Sequence, residues 1–316
     1  MDGVRAGDRT VLARAITLVE STLPADEELA TAVIEALLPH SGGSHRLGIT
    51  GVPGVGKSTF IDALGMHLVR DGGARVAVLS VDPSSVVSGG SILGDKTRME
   101  RLAADERAFI RPSASGGHVG GVAPRTREAI LLCEAAGYTN VFVETVGVGQ
   151  SETAVRSMTD FFLLLAPAGA GDELQGIKRG ILEVADAVAI TKADGDNLPR
   201  ARRAQAEHAS ALRLFPAHAD GWRPRVVTCS ALTGDGIAEI WRMVREHADA
   251  MRQGGHFEAR RRAQALDWMH DLIAMEVQRR FRSDPAVAER LARAEREVGA
   301  GRMSARAAAR EVLQQS

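Results

Sequence analysis

The sequence predicts an α/β fold: a doubly wound, mostly parallel sheet with helical additions at both ends of the chain. From about residue 46, short apolar runs alternate with longer amphipathic stretches, the order expected of strands and helices in βαβ units. Several runs are apolar throughout, as in parallel strands that helices cover on both faces. The 316 residues are enough for one such domain with extensions. The predicted parts are an N-terminal helical extension (1–43), the α/β domain (44–252) and a C-terminal helical arm (253–316).

The N-terminal extension is predicted to hold two amphipathic helices between residues 8 and 39. Each helix carries apolar residues at helical spacing, and Leu23-Pro24 separates the two. The two stripes are Leu12, Ala15, Ile16 and Val19, and then Val33, Ile34, Leu37 and Leu38.

Seven strands are predicted in the α/β domain, with helices between them. A helix over Ser58–Arg70, for example, places Phe60, Ile61 and Leu64 on one side. The predicted strands are Arg46–Thr50, Arg75–Asp82, Ala108–Pro112, Asn140–Thr145, Asp160–Ala166, Ala187–Thr191 and Arg225–Cys229.

The C-terminal arm is predicted to be helical beyond Gln253-Gly254-Gly255. Its first helix carries the stripe Leu266, Met269, Ile273 and Val277, and a second helix follows Asp284-Pro285. A stripe of this length has to be buried against something, and packing on the chain's own domain is one possibility. The cluster Arg260-Arg261-Arg262 is interpreted as a solvated helix face rather than a nucleic-acid site.

Composition narrows the class of function. The net charge of −1 gives no overall attraction to nucleic acid or to a membrane, and the longest apolar run is far shorter than a membrane span. Two cysteines without a CxxC pattern suit a reducing cytosol, and no secretion signal precedes them, so a cytoplasmic location is expected. Only four of the 39 basic residues are lysines, and all four lie in candidate nucleotide segments. They are Lys57, Lys96, Lys178 and Lys192.

A phosphate-binding loop is predicted between the first strand and its helix. The segment Gly51-Val52-Pro53-Gly54-Val55-Gly56-Lys57-Ser58 matches GxxxxGK[ST], and Thr59 follows it. Its backbone N–H groups would surround phosphates at a helix N-terminus. Lys57 would neutralise the β- and γ-phosphates, and the Ser58 hydroxyl would ligate Mg²⁺. The segment therefore predicts a nucleoside triphosphate site.

Two acidic residues at predicted strand ends are candidates to complete the metal site. Asp82 and Glu144 each end a strand, and both should lie at the carboxyl edge of the sheet beside the phosphate loop. Mg²⁺ keeps several waters and favours such carboxylates. Either acid taken alone is equally compatible with a helix-capping role. Glu144-Thr145-Val146-Gly147 also has the spacing of an acid followed by a γ-phosphate-sensing glycine.

A guanine site is predicted from two later segments. Thr191-Lys192-Ala193-Asp194 follows a strand, and its Asp can accept from guanine N1–H and N2–H₂, a pair of donors that adenine lacks. Ser230-Ala231-Leu232 follows the next strand and offers a loop amide to guanine O6. Together with the phosphate loop they favour GTP over ATP. Thr191 stands where NKxD motifs usually have Asn, so it keeps a hydroxyl but lacks the amide.

Three polar, glycine-rich segments complete a pattern that closely resembles the MeaB/ArgK family of P-loop GTPases, which includes the human methylmalonic aciduria type A protein. The resemblance runs from about Arg46 to Leu232 and includes the TKAD segment. The helical extension and arm also suit this family. The segments are 82–99, 146–152 and 168–178, together with 111–117.

The resemblance implies a G-protein chaperone that couples hydrolysis of GTP to GDP with cofactor loading and protection of an adenosylcobalamin-dependent methylmalonyl-CoA mutase. It also implies that the arm forms a homodimer. By match of motif, Asp82, Asp95 and Glu144 take Mg²⁺ and hydrolysis roles, and the segment from Asp172 to Lys178 is a third switch that responds to the partner. Val148, not Gln, follows Gly147, so slow hydrolysis is expected until a partner orders Asp95 or Lys178.

Three other functions remain open at this point. One is a kinase or ATPase linked to amino-acid transport, although nothing in the sequence resembles a kinase substrate cleft. The second is a GTP-dependent metal-insertion chaperone, although the Cys/His clusters usual for nickel insertion are missing. The third is a GTP-dependent scaffold without catalytic turnover.

Overall fold

The computed structural model describes residues 1–21, 23–81, 99–112, 123–145, 151–169 and 179–314. Seven strands form one sheet in the order β3-β2-β4-β1-β5-β6-β7. Each of the six neighbouring pairs is parallel, which confirms the predicted doubly wound fold. The strands are β1 (His45–Gly51), β2 (Val76–Val81), β3 (Ala108–Arg111), β4 (Asn140–Thr145), β5 (Phe161–Ala166), β6 (Ala187–Ile190) and β7 (Arg225–Thr228).

The strands are mostly apolar because both faces of the sheet are covered. In β5, Phe162 and Leu164 enter one hydrophobic cluster, while Phe161, Leu163 and Leu165 enter the cluster on the other face. Alternate side chains of a strand point to opposite faces, so a strand between two helical layers is apolar at nearly all positions. The covering helices are α4 (Lys57–Gly72), α5 (Glu100–Ala104), α6 (Ala123–Ala135), α7 (Ser151–Arg156), α8 (Arg179–Val184), α9 (Leu198–Leu212) and α10 (Ile237–Gln253).

Both cysteines fill core positions. Cys133 lies in one of the two clusters and Cys229 in the other, and each is almost fully buried. Burial raises the pKa of the Cys229 thiol to about 12 and raises that of Cys133 as well. Burial therefore favours the protonated thiol at both positions.

The N-terminal extension holds the two predicted helices and a short additional one. They are α1 (Asp2–Arg5), α2 (Arg9–Val19) and α3 (Pro24–Leu37). Asp8 caps α2, because its carboxylate accepts from the backbone N–H groups of Thr10 and Val11. Leu12, Ile16 and Val19 of α2 are buried in one cluster with α6. Leu38 departs from the predicted stripe, since α3 ends before it and the side chain is exposed.

The chain divides by its internal contacts into two compact units, Met1–Arg262 and Ala263–Ser316. The predicted domain boundary at residue 253 stays a prediction. The helices of the predicted C-terminal arm are α11 (His256–Ser283), which crosses the boundary between the two units, α12 (Pro285–Gly299) and α13 (Ala305–Gln314). The second unit has a small core of its own, formed by α12 and α13, and Asp284 caps α12. None of the helices in the described parts of the chain is long and apolar enough to cross a membrane.

The interpretation of Arg260-Arg261-Arg262 as a solvated face was wrong for its first two residues. Arg261 donates from Nε and Nη2 to the Asp160 carboxylate and also to the Ser44 carbonyl oxygen, so only 14% of its side chain is exposed. Arg260 Nη2 lies 3.9 Å from Oδ2 of the fully buried Asp186. The cause is a pair of buried carboxylates just before β5 and β6, which attract both guanidinium groups.

Candidate nucleotide-binding site

The predicted phosphate loop joins β1 to α4 at the carboxyl edge of the sheet. A Cβ on Gly51 would lie 2.5 Å from the carbonyl oxygen of Leu165, so the loop begins where β1 passes too close to β5 for a side chain. Gly56, immediately before α4, has a φ of 99°, in the left-handed region that favours glycine. These two constraints explain why this turn needs glycine at its first and sixth positions.

The Lys57 side chain contacts the first residue of the phosphate loop. Its Nζ donates to the carbonyl oxygen of Gly51 over 2.7 Å, which holds the ammonium over the loop that would surround the phosphates. Ser58 is partly buried in the first turn of α4 and Thr59 is exposed beside it. The N-terminus of a helix carries partial positive charge and attracts anions. The arrangement therefore fits a phosphate group above the loop.

Glu144 lies next to this loop at the end of β4. Strand β4 pairs with β1 on one side and with β2 on the other, and the Glu144 side chain is only 2% exposed. Ser80 of β2 donates its hydroxyl to Glu144 Oε1 over 2.8 Å, and the hydroxyls of Thr50 and Thr145 are 2.9 Å apart. The carboxylate is thus held at the predicted edge of the sheet. The other predicted acids and the switch residues lie outside the described residues: Asp82, Asp95, Gly147, Val148, Asp172 and Lys178.

The TKAD segment is tied directly to the phosphate loop. The hydroxyl of Thr191 donates to the carbonyl oxygen of Val55 over 2.7 Å, and Lys192 Nζ donates to that of Gly54 over 2.9 Å. Thr191 is buried, so its hydrogen bond is not exposed to competition from bulk water. A hydroxyl in place of the usual amide therefore still connects the two segments.

The two predicted base-binding segments meet at Asp194. The hydroxyl of Ser230 donates to Asp194 Oδ2, and Ser230 Oγ in turn accepts from the backbone N–H groups of Leu232 and Thr233 over 3.2 Å each. The N–H of Ala193 donates to the carbonyl oxygen of Cys229 over 3.0 Å. Ser230 is fully buried. A carboxylate fixed in this way is positioned to accept two N–H donors from one edge of a base.

Sequence reasoning missed one residue of this site. Asn197 Nδ2 donates to the carbonyl oxygen of Lys192 over 2.6 Å, and Lys192 is the only non-glycine residue with positive φ among those described. The local sequence suggested a different role for Asn197, because Asn followed by Leu-Pro is typical of the start of a helix. Asn197 does stand at the N-cap of α9, but its side chain makes no capping hydrogen bond.

A magnesium ion fits the oxygen donors at this edge. Within the described residues no group of three or more His, Cys, Asp or Glu side chains could hold a metal ion. Mg²⁺ in nucleotide sites does not need one, because phosphate oxygens and waters supply most of its ligands. The Ser58 hydroxyl and the Glu144 carboxylate are both of the required oxygen type.

Comparison with known proteins gives concordant matches over nearly the whole chain. A family model described as methylmalonyl-CoA mutase-associated GTPase MeaB matches residues 12–286. A probable GTPase of Mycobacterium tuberculosis is 53% identical over 311 residues, which cover 98% of this chain and 92% of that protein. The mitochondrial methylmalonic aciduria type A homolog of Mus musculus is 48% identical, covering 96% and 75% respectively. A crystal structure of a LAO/AO transport system kinase superposes with a TM-score of 0.78 at 40% identity, covering 98% and 94%.

Proposed function

We propose a partner-coupled GTPase function for this chain, which belongs to the MeaB family of methylmalonyl-CoA mutase-associated GTPases. The chain binds GTP, hydrolyses it to GDP and phosphate, and acts as a chaperone of an adenosylcobalamin-dependent methylmalonyl-CoA mutase. One observation carries the nucleotide part: the phosphate loop, Thr191-Lys192 and the Asp194–Ser230 pair form one hydrogen-bonded unit. That unit supports a site for a phosphate chain at one end and for guanine at the other.

Each part of the unit has a separate task in binding. The ammonium of Lys57 and the backbone N–H groups at the start of α4 bind the phosphates. The Asp194 carboxylate accepts from guanine N1–H and N2–H₂, and the aliphatic stem of Lys192 covers one face of the base. Adenine has no matching donor pair and would leave the carboxylate unpaired, which the site rejects.

Magnesium, when bound, neutralises charge on the β- and γ-phosphates. Ser58 and Glu144 would hold it, together with Asp82 and Asp95, to which the family resemblance gives this role. Glu144 is suited to that task because Ser80 fixes its carboxylate beside β1. The segment with Asp172 and Lys178 completes the hydrolytic machinery when the partner binds.

The mutase is proposed as the partner because the matching family model is described as mutase-associated and the mouse relative is named for methylmalonic aciduria. GTP turnover should therefore be slow for the chain alone and rise severalfold when the mutase is added. Phosphate release is measured with and without the mutase, and a non-interacting protein at equal concentration serves as the control. An unchanged rate together with no mutase–chain complex in sedimentation would overturn the partner assignment.

A kinase function is the second candidate, because the superposed crystal structure is described as a transport system kinase. The two functions differ in the acceptor of the γ-phosphate, which is water in a GTPase and a side chain in a kinase. Labelled γ-phosphate should appear as free phosphate and not on protein. Stoichiometric labelling of a protein acceptor would favour the kinase instead.

The arm is proposed to form a homodimer through its exposed apolar stripe. The large side chains of this stripe on α11 are 38–61% exposed, which is unusual for apolar residues in helical register. These side chains are the predicted stripe Leu266, Met269, Ile273 and Val277, with Leu272 beside it. The parent is expected to sediment as a dimer, and Ile273→Glu as a monomer, because a buried unpaired carboxylate is costly. Gln278→Glu, which adds the same charge to an exposed position on the opposite face of this helix, is the control and should remain dimeric. A monomeric parent would contradict the proposal.

A further inference from the structure

The loop that carries the base-binding residues contains an energetically unfavourable backbone conformation. Lys192 has a φ of 57°, in the left-handed region that residues with a Cβ rarely adopt. Such a conformation persists only when surrounding contacts hold it in place, and it is concentrated at functional sites. The peptide groups on both sides of Lys192 therefore need identifiable partners.

Hydrogen bonds hold the backbone on both sides of Lys192. The N–H of Thr191 donates to the Ala166 carbonyl oxygen over 2.9 Å, and the N–H of Ala193 donates to that of Cys229 over 3.0 Å. These two bonds fix the chain before and after Lys192. The carbonyl of Lys192 itself is held by Asn197, whose Nδ2 lies 2.6 Å away. This bond fixes the orientation of the peptide group that a return to negative φ and ψ would rotate.

Asn197 makes this contact in place of a local one. It occupies the N-cap of α9, where an Asn side chain ordinarily accepts from the first N–H groups of its own helix. Here it makes no capping bond and turns back five residues to Lys192. Its orientation is unambiguous, since a carbonyl oxygen can pair only with the NH₂ end of the amide. The backbone of Asn197 is helical (φ −85°, ψ −15°), whereas a capping residue is ordinarily extended, so the side chain is directed to Lys192 and not to its own helix.

We infer that Asn197 is a positioning residue for guanine recognition: its amide holds Lys192 in the left-handed conformation and thereby places Lys192 and Asp194. The inference rests on the proposed function. If the peptide of Lys192 rotates, Nζ loses its direction toward the Gly54 carbonyl and the Asp194 carboxylate shifts relative to Ser230. The phosphate loop would lose only the contact to Lys192 and keep the Lys57–Gly51 and Thr191–Val55 hydrogen bonds, so the effect on phosphate binding should be smaller than that on the base.

The test measures the affinity for GDP and for inosine diphosphate, which lacks the 2-amino group that Asp194 would bind. We expect Asn197→Ala to bind GDP about five- to tenfold more weakly than the parent, from the loss of one hydrogen bond at a strained residue. The ratio of its affinities for GDP and inosine diphosphate should also be smaller than that of the parent. Asp196→Ala, in the same turn with an exposed side chain, is the matched control and should stay within about twofold of the parent.

Two further variants separate positioning from a role in helix stability. Asp is as good an N-cap as Asn but cannot donate to a carbonyl, so Asn197→Asp should lose GDP affinity as Asn197→Ala does while α9 keeps its stability. Glycine adopts the left-handed region freely, so adding Asn197→Ala to Lys192→Gly should cost less than about twofold. GDP affinity of the parent level in Asn197→Asp, or an equal loss in both backgrounds, would overturn the inference. A parent that binds no guanine nucleotide would instead overturn the proposed function.

Discussion

Replacing Lys57 by Ala should weaken GDP and GTP binding by roughly 10²- to 10³-fold, as expected for removal of one partner from a charge pair at about 2–5 kcal/mol. The reason is geometric as well as electrostatic. Lys57 Nζ is held 2.7 Å from the Gly51 carbonyl oxygen, so the ammonium is directed over the loop before any nucleotide arrives. Equilibrium titration with a fluorescent GDP analogue measures the loss.

Two companion variants show whether the loss is local. Lys57→Arg keeps the charge but cannot fit a planar guanidinium where a compact ammonium contacts the loop carbonyl, so it should bind nearly as poorly as Lys57→Ala. Arg70→Ala removes an exposed cation from the last turn of the same helix and should leave affinity unchanged. Thermal unfolding without nucleotide should be similar for all three variants. Parent-level affinity in Lys57→Ala would remove the phosphate loop from the proposal.

The sheet could be predicted in detail because its signals are local. Every predicted strand bound lies within one residue of the observed one, as in Asn140–Thr145, where the two agree. A strand covered on both faces is apolar at most positions, and that pattern can be recognised within a few consecutive residues. The phosphate loop could be predicted for the same reason, since one short segment carries its glycines, its lysine and its serine.

The remaining features depend on partners distant in sequence. Arg261 gave no sign of burial, because its partner Asp160 lies 101 residues earlier in the chain. The hydroxyl of Thr191 could be placed near a nucleotide, but its acceptor Val55 is 136 residues away. Asn197 was missed for another reason: its local sequence predicts a helix cap, and the side chain does not form one. Sequence reasoning identified the residue types of the site, and the tertiary hydrogen bonds determined how they are connected.

The choice of base should change when Asp194 is replaced by Asn. Guanine presents two N–H donors to the carboxylate, and in the Asp194→Asn variant the amide NH₂ would face one of them, so GDP affinity should fall by about 10²-fold or more. Xanthine carries an oxygen where guanine has its 2-amino group, and that oxygen can accept from the new NH₂. Xanthosine diphosphate should therefore bind more tightly to the variant than to the parent. Competition titrations with GDP and xanthosine diphosphate measure the change in preference.

The neighbouring contacts make this reversal specific. Ser230 donates to Asp194 Oδ2, and it can donate equally to the amide oxygen of an Asn, so the new side chain is expected to keep its orientation with NH₂ toward the base. Asp196→Asn removes the same charge two residues away on an exposed side chain and should leave the preference for GDP intact. The Asp194 carboxylate does not determine base choice if the parent binds ATP as tightly as GTP. The same conclusion follows if Asp194→Asn binds GDP and xanthosine diphosphate equally more weakly than the parent.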